Sequence, residues 1–179
     1  MGFGKSFILS LVAFVGLNFV FTILYYSLGP GFDFLMSEIQ NAPMMIIYYL
    51  FGSIASVPSN ILNWVIVDPF FNSTMTYLIM GLGFLIAPLI AAILAGKFAE
   101  SKFQGFSGWL LTSIISTVAM IIGTIPGLSG TFVGTIETLY FGGTPTGFEV
   151  MLITLIISCV VNIVFYGFFA LLVSKTEYY

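Results

Sequence analysis

The amino-acid sequence predicts an all-α integral membrane protein with four full transmembrane helices and one helical hairpin. Of its 179 residues, 59% are hydrophobic and 6% are charged, and the mean hydropathy is +1.14. An ordinary soluble domain carries about 25% charged residues. Apolar runs of about 20 residues recur along the chain, and this is the length that a helix needs to cross a bilayer core of about 30 Å. We therefore treat residues 1–179 as a single transmembrane domain.

A membrane β-barrel is the competing architecture. Its strands alternate apolar and polar residues over segments of about 10 residues. Residues 8–28, the first apolar run, show no such alternation. A helical bundle is therefore the favoured class.

The first predicted span is 8–28, and Lys5 precedes it. This run is longer than the apolar region of a secretory signal, which has about 7 to 15 residues, and it lacks a small-x-small cleavage site. We expect it to be a retained membrane helix. The segment from Gly29 to Asn41 begins with a Gly-Pro-Gly turn and carries acidic residues without a lysine, which indicates a short external segment.

Residues 43–71 are ambiguous. They could form one kinked span or a re-entrant or interfacial hairpin that turns at Pro58, Ser59 and Asn60. Residues 44–57 would make a helix of about 21 Å, which is too short for a full crossing. A hairpin is the favoured interpretation, and five or six transmembrane helices are the alternative.

Three further spans complete the predicted bundle, at 75–96, 106–125 and 149–173. A short charged turn separates the first two of these. An external Gly-rich loop, 126–148, separates the last two.

The four lysines favour one orientation. If residues 43–71 do not cross as a single span, all of the lysines fall on one side, and most of the carboxylates fall on the other. The lysines are Lys5, Lys97, Lys102 and Lys175, and the carboxylates opposite them are Asp33, Glu38, Asp68, Glu137 and Glu149. The positive-inside rule then predicts cytoplasmic termini, with the cell membrane as the expected location.

Small residues recur at every fourth position in two consecutive spans, which predicts a close helix–helix contact. The first set is Gly83, Ala87, Ala91 and Ala95, and the second is Gly108, Thr112 and Ser116. In an antiparallel hairpin, Ala95 would face Gly108, and Ala87 would face Ser116. We expect the two helices to pack through these faces.

Two asparagines occupy the middle of the first and last spans. A carboxamide in hydrocarbon needs a hydrogen-bond partner. The matched depth of Asn18 and Asn162 predicts a cross-helix pair.

The polar residues of the hairpin form the best candidate for a functional feature, because broken helices at membrane depth occur where they line a cavity or are buried in protein. These residues are Pro58, Ser59, Asn60 and Asn63, with Glu137 in the Gly-rich loop as a further pocket residue. Asn72 lies in an Asn-Ser-Thr glycosylation sequon.

The chain has no His and no Arg, and its one cysteine is Cys159. No cofactor, metal centre or catalytic residue is therefore expected. No charged residue lies in the middle of a span, so a proton relay is not expected either. The favoured function is a non-catalytic accessory subunit of a larger membrane complex. Its partners would be the lipid bilayer and other membrane subunits or copies of itself, with no nucleic acid. The alternative is a small transporter or channel component with an outward-facing pocket.

Overall fold

A computed structural model of the protein describes residues 2–67, 71, 75–125, 133–134, 137 and 146–174. Within these ranges the chain is helical and contains no strand. Four of the helices are long and apolar enough to cross a membrane, or five if the bent hairpin is counted as one span. The predicted all-helical class is therefore confirmed. Asn72, Asp68, Lys175 and most of the Gly-rich loop lie outside the described residues.

The helices follow one another in a simple order. The chain begins with α1 (Gly2–Leu28), which extends beyond the apolar run that predicts it, and continues with α2 (Phe32–Asn41). The hairpin contains α3 (Met45–Phe51) and α4 (Pro58–Leu62). Three long helices complete the bundle. They are α5 (Met75–Lys97), α6 (Lys102–Gly123) and α7 (Phe148–Val173).

The hairpin is bent by 98° between its two halves, Met45–Ala55 and Pro58–Val67. A 3₁₀ turn, Gly52–Ala55, extends the first half, and a π-helical turn, Asn63–Val67, extends the second. The first half starts beside the end of α1, and the second half packs near the start of α5, where Val65 contacts Gly81. The hairpin therefore enters and leaves the bundle at the same end.

The charged residues separate to opposite ends of the bundle. We call the end that contains Lys5, Lys97 and Lys102 the lysine end, because Lys5 lies near the start of α1 and Ser6 contacts Ala95 near the end of α5. The other end, the carboxylate end, contains Asp33 and Glu38 on α2 and Glu149 at the start of α7. Glu100, in the turn between α5 and α6, is the exception and lies at the lysine end.

Helix α1 is the central packing element, and one of its faces is buried at every fourth residue from Gly2 to Asn18 and again at Tyr26. These buried residues are Gly2, Ser6, Ser10, Phe14, Asn18 and Tyr26. Its opposite face is apolar and exposed, with Val12 64% exposed and Ile8 57% exposed. The polar side chains of Ser6, Ser10 and Asn18 therefore face inward together with Phe14, and the outward face is apolar.

Helices α5 and α6 do approach each other at Gly96 and Gly105, but the predicted pairing of Ala95 with Gly108 is not formed, because Ser6 of α1 lies between them. The side chain of Ser6 donates a hydrogen bond to the Ala95 carbonyl (2.6 Å) and fills the space in front of Gly108. Thr112 contacts the Ser10 hydroxyl at 3.0 Å. Gly83, at the other end of α5, lies against Phe21 of α1. Ala87, Ala91, Ala95 and Ser116 are all fully buried.

The α5–α6 turn has its own contacts. Ser101 caps α6 by accepting a hydrogen bond from the Gln104 amide (3.4 Å), as expected of a serine that precedes a helix. Gly96 lies against the Ala170 carbonyl of α7, and Gly105 lies against Gly96 and Ser174. The missing side chains of these glycines allow α5, α6 and α7 to approach closely at the lysine end.

Candidate functional site

The tip of the hairpin lies inside the bundle. Residues 52–56 are all buried, and Ser53 and Ile54 have no exposed surface. The chain turns at Ser56 and Val57, whose backbones are extended. A residue that precedes proline is disfavoured in the α region, so Pro58 prevents the first half of the hairpin from continuing as a helix.

The turn is therefore not centred where the sequence predicts it. Pro58 occupies the first turn of α4, a position that suits its fixed φ angle and missing N–H group. Ser59 and Asn60 follow it on α4 and are exposed, and Asn63 is exposed in the next turn. Ser59, Asn60 and Asn63 therefore do not line the buried turn, whereas Pro58 is buried directly after it. Ser53 and Ser56, which precede the turn, occupy the tip instead.

Asn162, in the middle of α7, holds the tip in place. Its amide nitrogen donates hydrogen bonds to the carbonyl oxygens of Ile54 (3.0 Å) and Ser56 (2.9 Å). Both carbonyls belong to the end of a helical segment, where the regular intrahelical partners are lost. One fully buried side chain therefore satisfies two backbone groups that would otherwise be unpaired in the interior.

The predicted pair between Asn18 and Asn162 is not formed. The Asn18 amide nitrogen donates to the Phe14 carbonyl of its own helix at 2.9 Å. The amide nitrogen of Asn162 instead donates to the Ile54 and Ser56 carbonyls of the hairpin tip. The backbone carbonyls of an interrupted helix are stronger competitors for an amide than a distant side chain, and the sequence does not reveal where that interruption will lie.

Aromatic side chains surround Asn162 on the side of α6. The Trp109 indole nitrogen donates to the Asn162 backbone carbonyl at 3.2 Å. The Trp109 ring packs against Tyr166 with a centroid distance of 5.8 Å and against Phe14 with a centroid distance of 6.1 Å. These contacts fix α7 against α6 and α1 at the depth of the tip.

Buried polar atoms that lack hydrogen-bond partners occur at the tip and on the long helices α1 and α7. Among the described residues, these atoms include Ser53 Oγ, Ser56 Oγ, Asn162 Oδ1, Tyr166 OH and Asn18 Oδ1. We call Ser53, Ser56, Asn162 and Tyr166 the tip cluster. Buried polar atoms in proteins nearly always have a partner, either from the protein or from an ordered water or ligand. An unpartnered group costs about 1–3 kcal/mol.

Asn18 lies at a depth that matches the tip cluster. Thr22, one turn further along α1, donates to the Tyr49 carbonyl of α3 at 3.4 Å. Because α1 and α3 run in opposite directions at this contact, moving one turn from Thr22 to Asn18 corresponds to moving one turn from Tyr49 to Ser53. The amide of Asn18 and the hydroxyl of Ser53 therefore lie at similar depth.

The chemistry available at the tip cluster is hydrogen bonding or oxygen coordination. The cluster contains no carboxylate, lysine or histidine. Within the described part of the chain, no group of three or more His, Cys, Asp or Glu residues could hold a metal ion. Cys159 is a buried free thiol whose sulfur lies 3.8 Å from the Ser113 carbonyl.

Glu137 belongs to a different contact. Its carboxylate accepts a hydrogen bond from the Thr146 amide (2.6 Å) and lies 3.4 Å from the Thr146 hydroxyl. Among the described residues this contact joins two parts of the Gly-rich loop. It does not bring Glu137 to the tip cluster.

Sequence reasoning missed Ser53, Ser56 and Tyr166, as well as the buried stripe of α1. The stripe has a clear signal, since Gly2, Ser6, Ser10 and Asn18 share a spacing of four or eight residues. Ser53 and Ser56 have only a weak signal, because two serines in a short apolar run are also typical of a loop. Nothing in the sequence alone identifies Tyr166.

No family model matches the chain, and no curated protein or solved structure matches it either.

The role of Asn162 can be tested by stability measurements. We expect Asn162→Leu to lower the free energy of unfolding by about 2 kcal/mol, because two buried carbonyls lose their shared donor. The matched variant Asn18→Leu should cost less than about 1 kcal/mol, because that amide bonds only within its own helix. Unfolding by sodium dodecyl sulfate in mixed micelles, followed by circular dichroism, measures both variants. Equal losses would contradict the assigned role of Asn162.

Proposed function

We propose that the chain is an integral membrane protein in which α1, α5, α6 and α7 cross the bilayer. The hairpin of α3 and α4 re-enters from the carboxylate end without crossing. The outward apolar faces and the inward polar faces support this arrangement, because lipid favours apolar surface and excludes unpaired polar groups. The lysine end is assigned to the cytoplasm by the positive-inside rule, together with both termini.

We further propose that the protein is a small transporter or channel component that binds its solute at the tip cluster. The observation that carries this proposal is the interrupted helix at the centre of the bundle, with unpartnered polar atoms beside it. Broken helices at membrane depth provide such sites in many transporters, because their free backbone groups and nearby side chains can replace the water around a solute.

The composition of the tip cluster restricts the solute. Hydroxyl and amide groups offer hydrogen bonds and oxygen ligands but no compensating charge. A multiply charged ion would lose its hydration without a countercharge, at a large free-energy cost. The proposed solute is therefore a small polar species with at most one charge. This position replaces the outward pocket that the sequence suggests at Asn60, Asn63 and Glu137.

A second candidate function is the accessory subunit, and one feature of α1 favours it. Gly16 lies on the exposed face of α1, and a β-carbon built there would meet no atom within 4 Å. The internal packing therefore does not require a glycine at this position, and a glycine inside a helix costs about 0.5–1 kcal/mol relative to alanine. Membrane helices often associate where a small residue allows close backbone approach, and Val12 and Val20 flank Gly16 on this face.

The proposed topology can be tested by cysteine labelling in a Cys159→Ser background. Single cysteines replace Ser37 before the hairpin, Phe71 after it and Phe103 in the turn at the lysine end. Phe71 and Phe103 are matched in exposure, with 80% and 79% of their surface accessible. A membrane-impermeant maleimide applied to intact cells should label the cysteines at 37 and 71 but not the one at 103. Labelling at 37 and 103 without 71 would mean that the hairpin crosses as one span.

The proposed transport function can be tested in proteoliposomes. Stopped-flow light scattering after osmotic shifts with glycerol, urea, sodium chloride or potassium chloride should show permeability to at least one of these solutes above that of protein-free vesicles. Ser53→Ala and Ser56→Ala should each reduce it about fivefold, the equivalent of one hydrogen bond of about 1 kcal/mol. Both variants should keep their thermal stability, because the hydroxyls removed have no protein partner.

Ser27→Ala, which removes an exposed hydroxyl from α1, is the matched control and should leave permeability unchanged. Vesicles indistinguishable from protein-free ones for all four solutes would count against the transport proposal. If permeability is unchanged in both Ser53→Ala and Ser56→Ala, the solute binds at a site other than the tip cluster.

The accessory-subunit candidate can be tested by gentle extraction followed by native mass spectrometry. If α1 binds a partner helix at Gly16, Gly16→Ile should release the bound subunit or second copy, because the added side chain prevents close approach. Val164→Ile, on an exposed face of α7, should not. A wild-type chain that is monomeric after extraction would exclude a stable partner.

A further inference from the structure

A cavity of about 160 Å³ lies between α1, α2 and α3 near the carboxylate end. Leu35 and Tyr49 are buried at its floor, whereas Phe19, Phe32 and Met36 lie at its rim and are about half exposed. Its accessible surface is entirely apolar. The cavity is therefore unsuited to a polar solute, and it is separate from the tip cluster.

The shape of the cavity depends on the position of α2. Leu35 and Ile39 of α2 face α1 and α3, and the polar residues Asp33, Ser37 and Gln40 lie on other faces of the helix. This pattern is typical of a helix that lies in the membrane interface, with its apolar side toward hydrocarbon. The open side of the cavity then faces the acyl chains beneath the headgroups.

A hydrogen-bonded group fixes α2 over the cavity. The hydroxyls of Tyr26 on α1 and Tyr49 on α3 both donate to the same carboxylate oxygen of Glu38, with a distance of 2.7 Å from Tyr49. The two hydroxyls lie 3.0 Å apart. One residue from each of three helices is joined at this point. The three helices that form the cavity walls are therefore joined by polar contacts at the carboxylate end.

We propose that this cavity holds an acyl chain of a bilayer phospholipid whose headgroup carries an ammonium group. This proposal rests on the proposed membrane location but not on transport. Apolar cavities of about 150 Å³ stay dry and accept molecules such as benzene. In hydrocarbon, filling such a cavity restores the dispersion contacts that its lining would otherwise lack. A flexible chain from the adjacent leaflet is the apolar group that can enter from the open side.

The negative charge at the carboxylate end favours a lipid headgroup that carries a positive charge. Asp33 and Glu38 lie on α2, the helix that covers the cavity, and the described lysines all lie at the lysine end. An anionic headgroup would be repelled here, whereas an ammonium group would be attracted. Because exposed ion pairs are weak, the expected preference is about two- to fivefold.

The test uses the full-length chain in nanodiscs of equal phosphatidylcholine and phosphatidylglycerol. A trace of either lipid carries a diazirine on its acyl chain, and mass spectrometry locates the adducts after illumination. Adducts should concentrate at residues 19–23, 32–39 and 46–50. The phosphatidylcholine probe should label these residues about two- to fivefold more than the phosphatidylglycerol probe. Asp33→Asn should reduce that ratio.

Two matched substitutions separate cavity occupancy from general lipid contact. Ile46→Trp fills the rim of the cavity, and Ile153→Trp makes the same change on the exposed face of α7. Only Ile46→Trp should suppress the adducts in the cavity. Met36→Trp, also at the rim, should act in the same way if Ile46→Trp does not fold.

Other outcomes would overturn the proposal. Equal adduct formation on the exposed face of α7 and in the cavity would mean that the cavity binds no lipid of its own. Lipid adducts on the exposed face of α7 without any at residues 19–23 would mean that a group other than lipid fills the cavity. Equal labelling by the two probes would remove the headgroup preference. A complete lack of adducts, including on α7, would instead contradict the membrane location on which the proposal rests.

Discussion

The two hydrogen bonds from Asn162 to the hairpin tip are the interaction on which the interior depends. A chain that interrupts a helix inside an apolar environment must satisfy the backbone groups that the interruption frees. The Ile54 and Ser56 carbonyls have this need, and a single amide on α7 satisfies both. The depth of the tip, the position of α7 and the packing around Trp109 are all fixed by this arrangement.

The second constraint is the position of α1 between α5 and α6. Small residues on α5 and α6 form a groove, and small polar residues on α1 fill it. Hydroxyls in such a contact bond to nearby carbonyls, so the helices can approach closely without leaving polar atoms unpaired. The same helix presents aliphatic side chains on its other face. The exposed faces are therefore apolar, whereas the interior combines large apolar side chains with small polar ones.

Much of the fold could be predicted from the sequence, because the four long helices depend on local composition. The apolar runs and the Gly-Pro-Gly turn identify the helices, and the lysines indicate which helix ends lie together. Which helix packs against which could not be predicted in the same way. The stripe from Gly83 to Ala95 shows that something packs closely there, but it fits α1 as well as α6. The spacing of a stripe describes one surface and does not identify the surface that covers it.

The candidate site was predictable only in outline. Pro58 marks the broken helix, but a proline favours the start of the following helix, and so the true turn lies at Ser56 and Val57. Asn162 was identifiable as a buried amide that needs a partner. Its partners are backbone carbonyls, however, and the availability of a carbonyl depends on where the helical hydrogen bonds end. The point at which the helical hydrogen bonds end depends on the folded structure, and the pattern of side chains does not reveal it.

The buried stripe of α1 has a consequence for the order of assembly during synthesis. This helix is made before α5 and α6, and the residues that cover Ser6 and Ser10 lie about a hundred positions later in the chain, in the segment from Ala95 to Thr112. Until that segment has been made, the side chains of Ser6 and Ser10 lack the partners on α5 and α6 that they have in the folded chain. The contacts of this face of α1 can therefore form only after the α5–α6 turn has been synthesised.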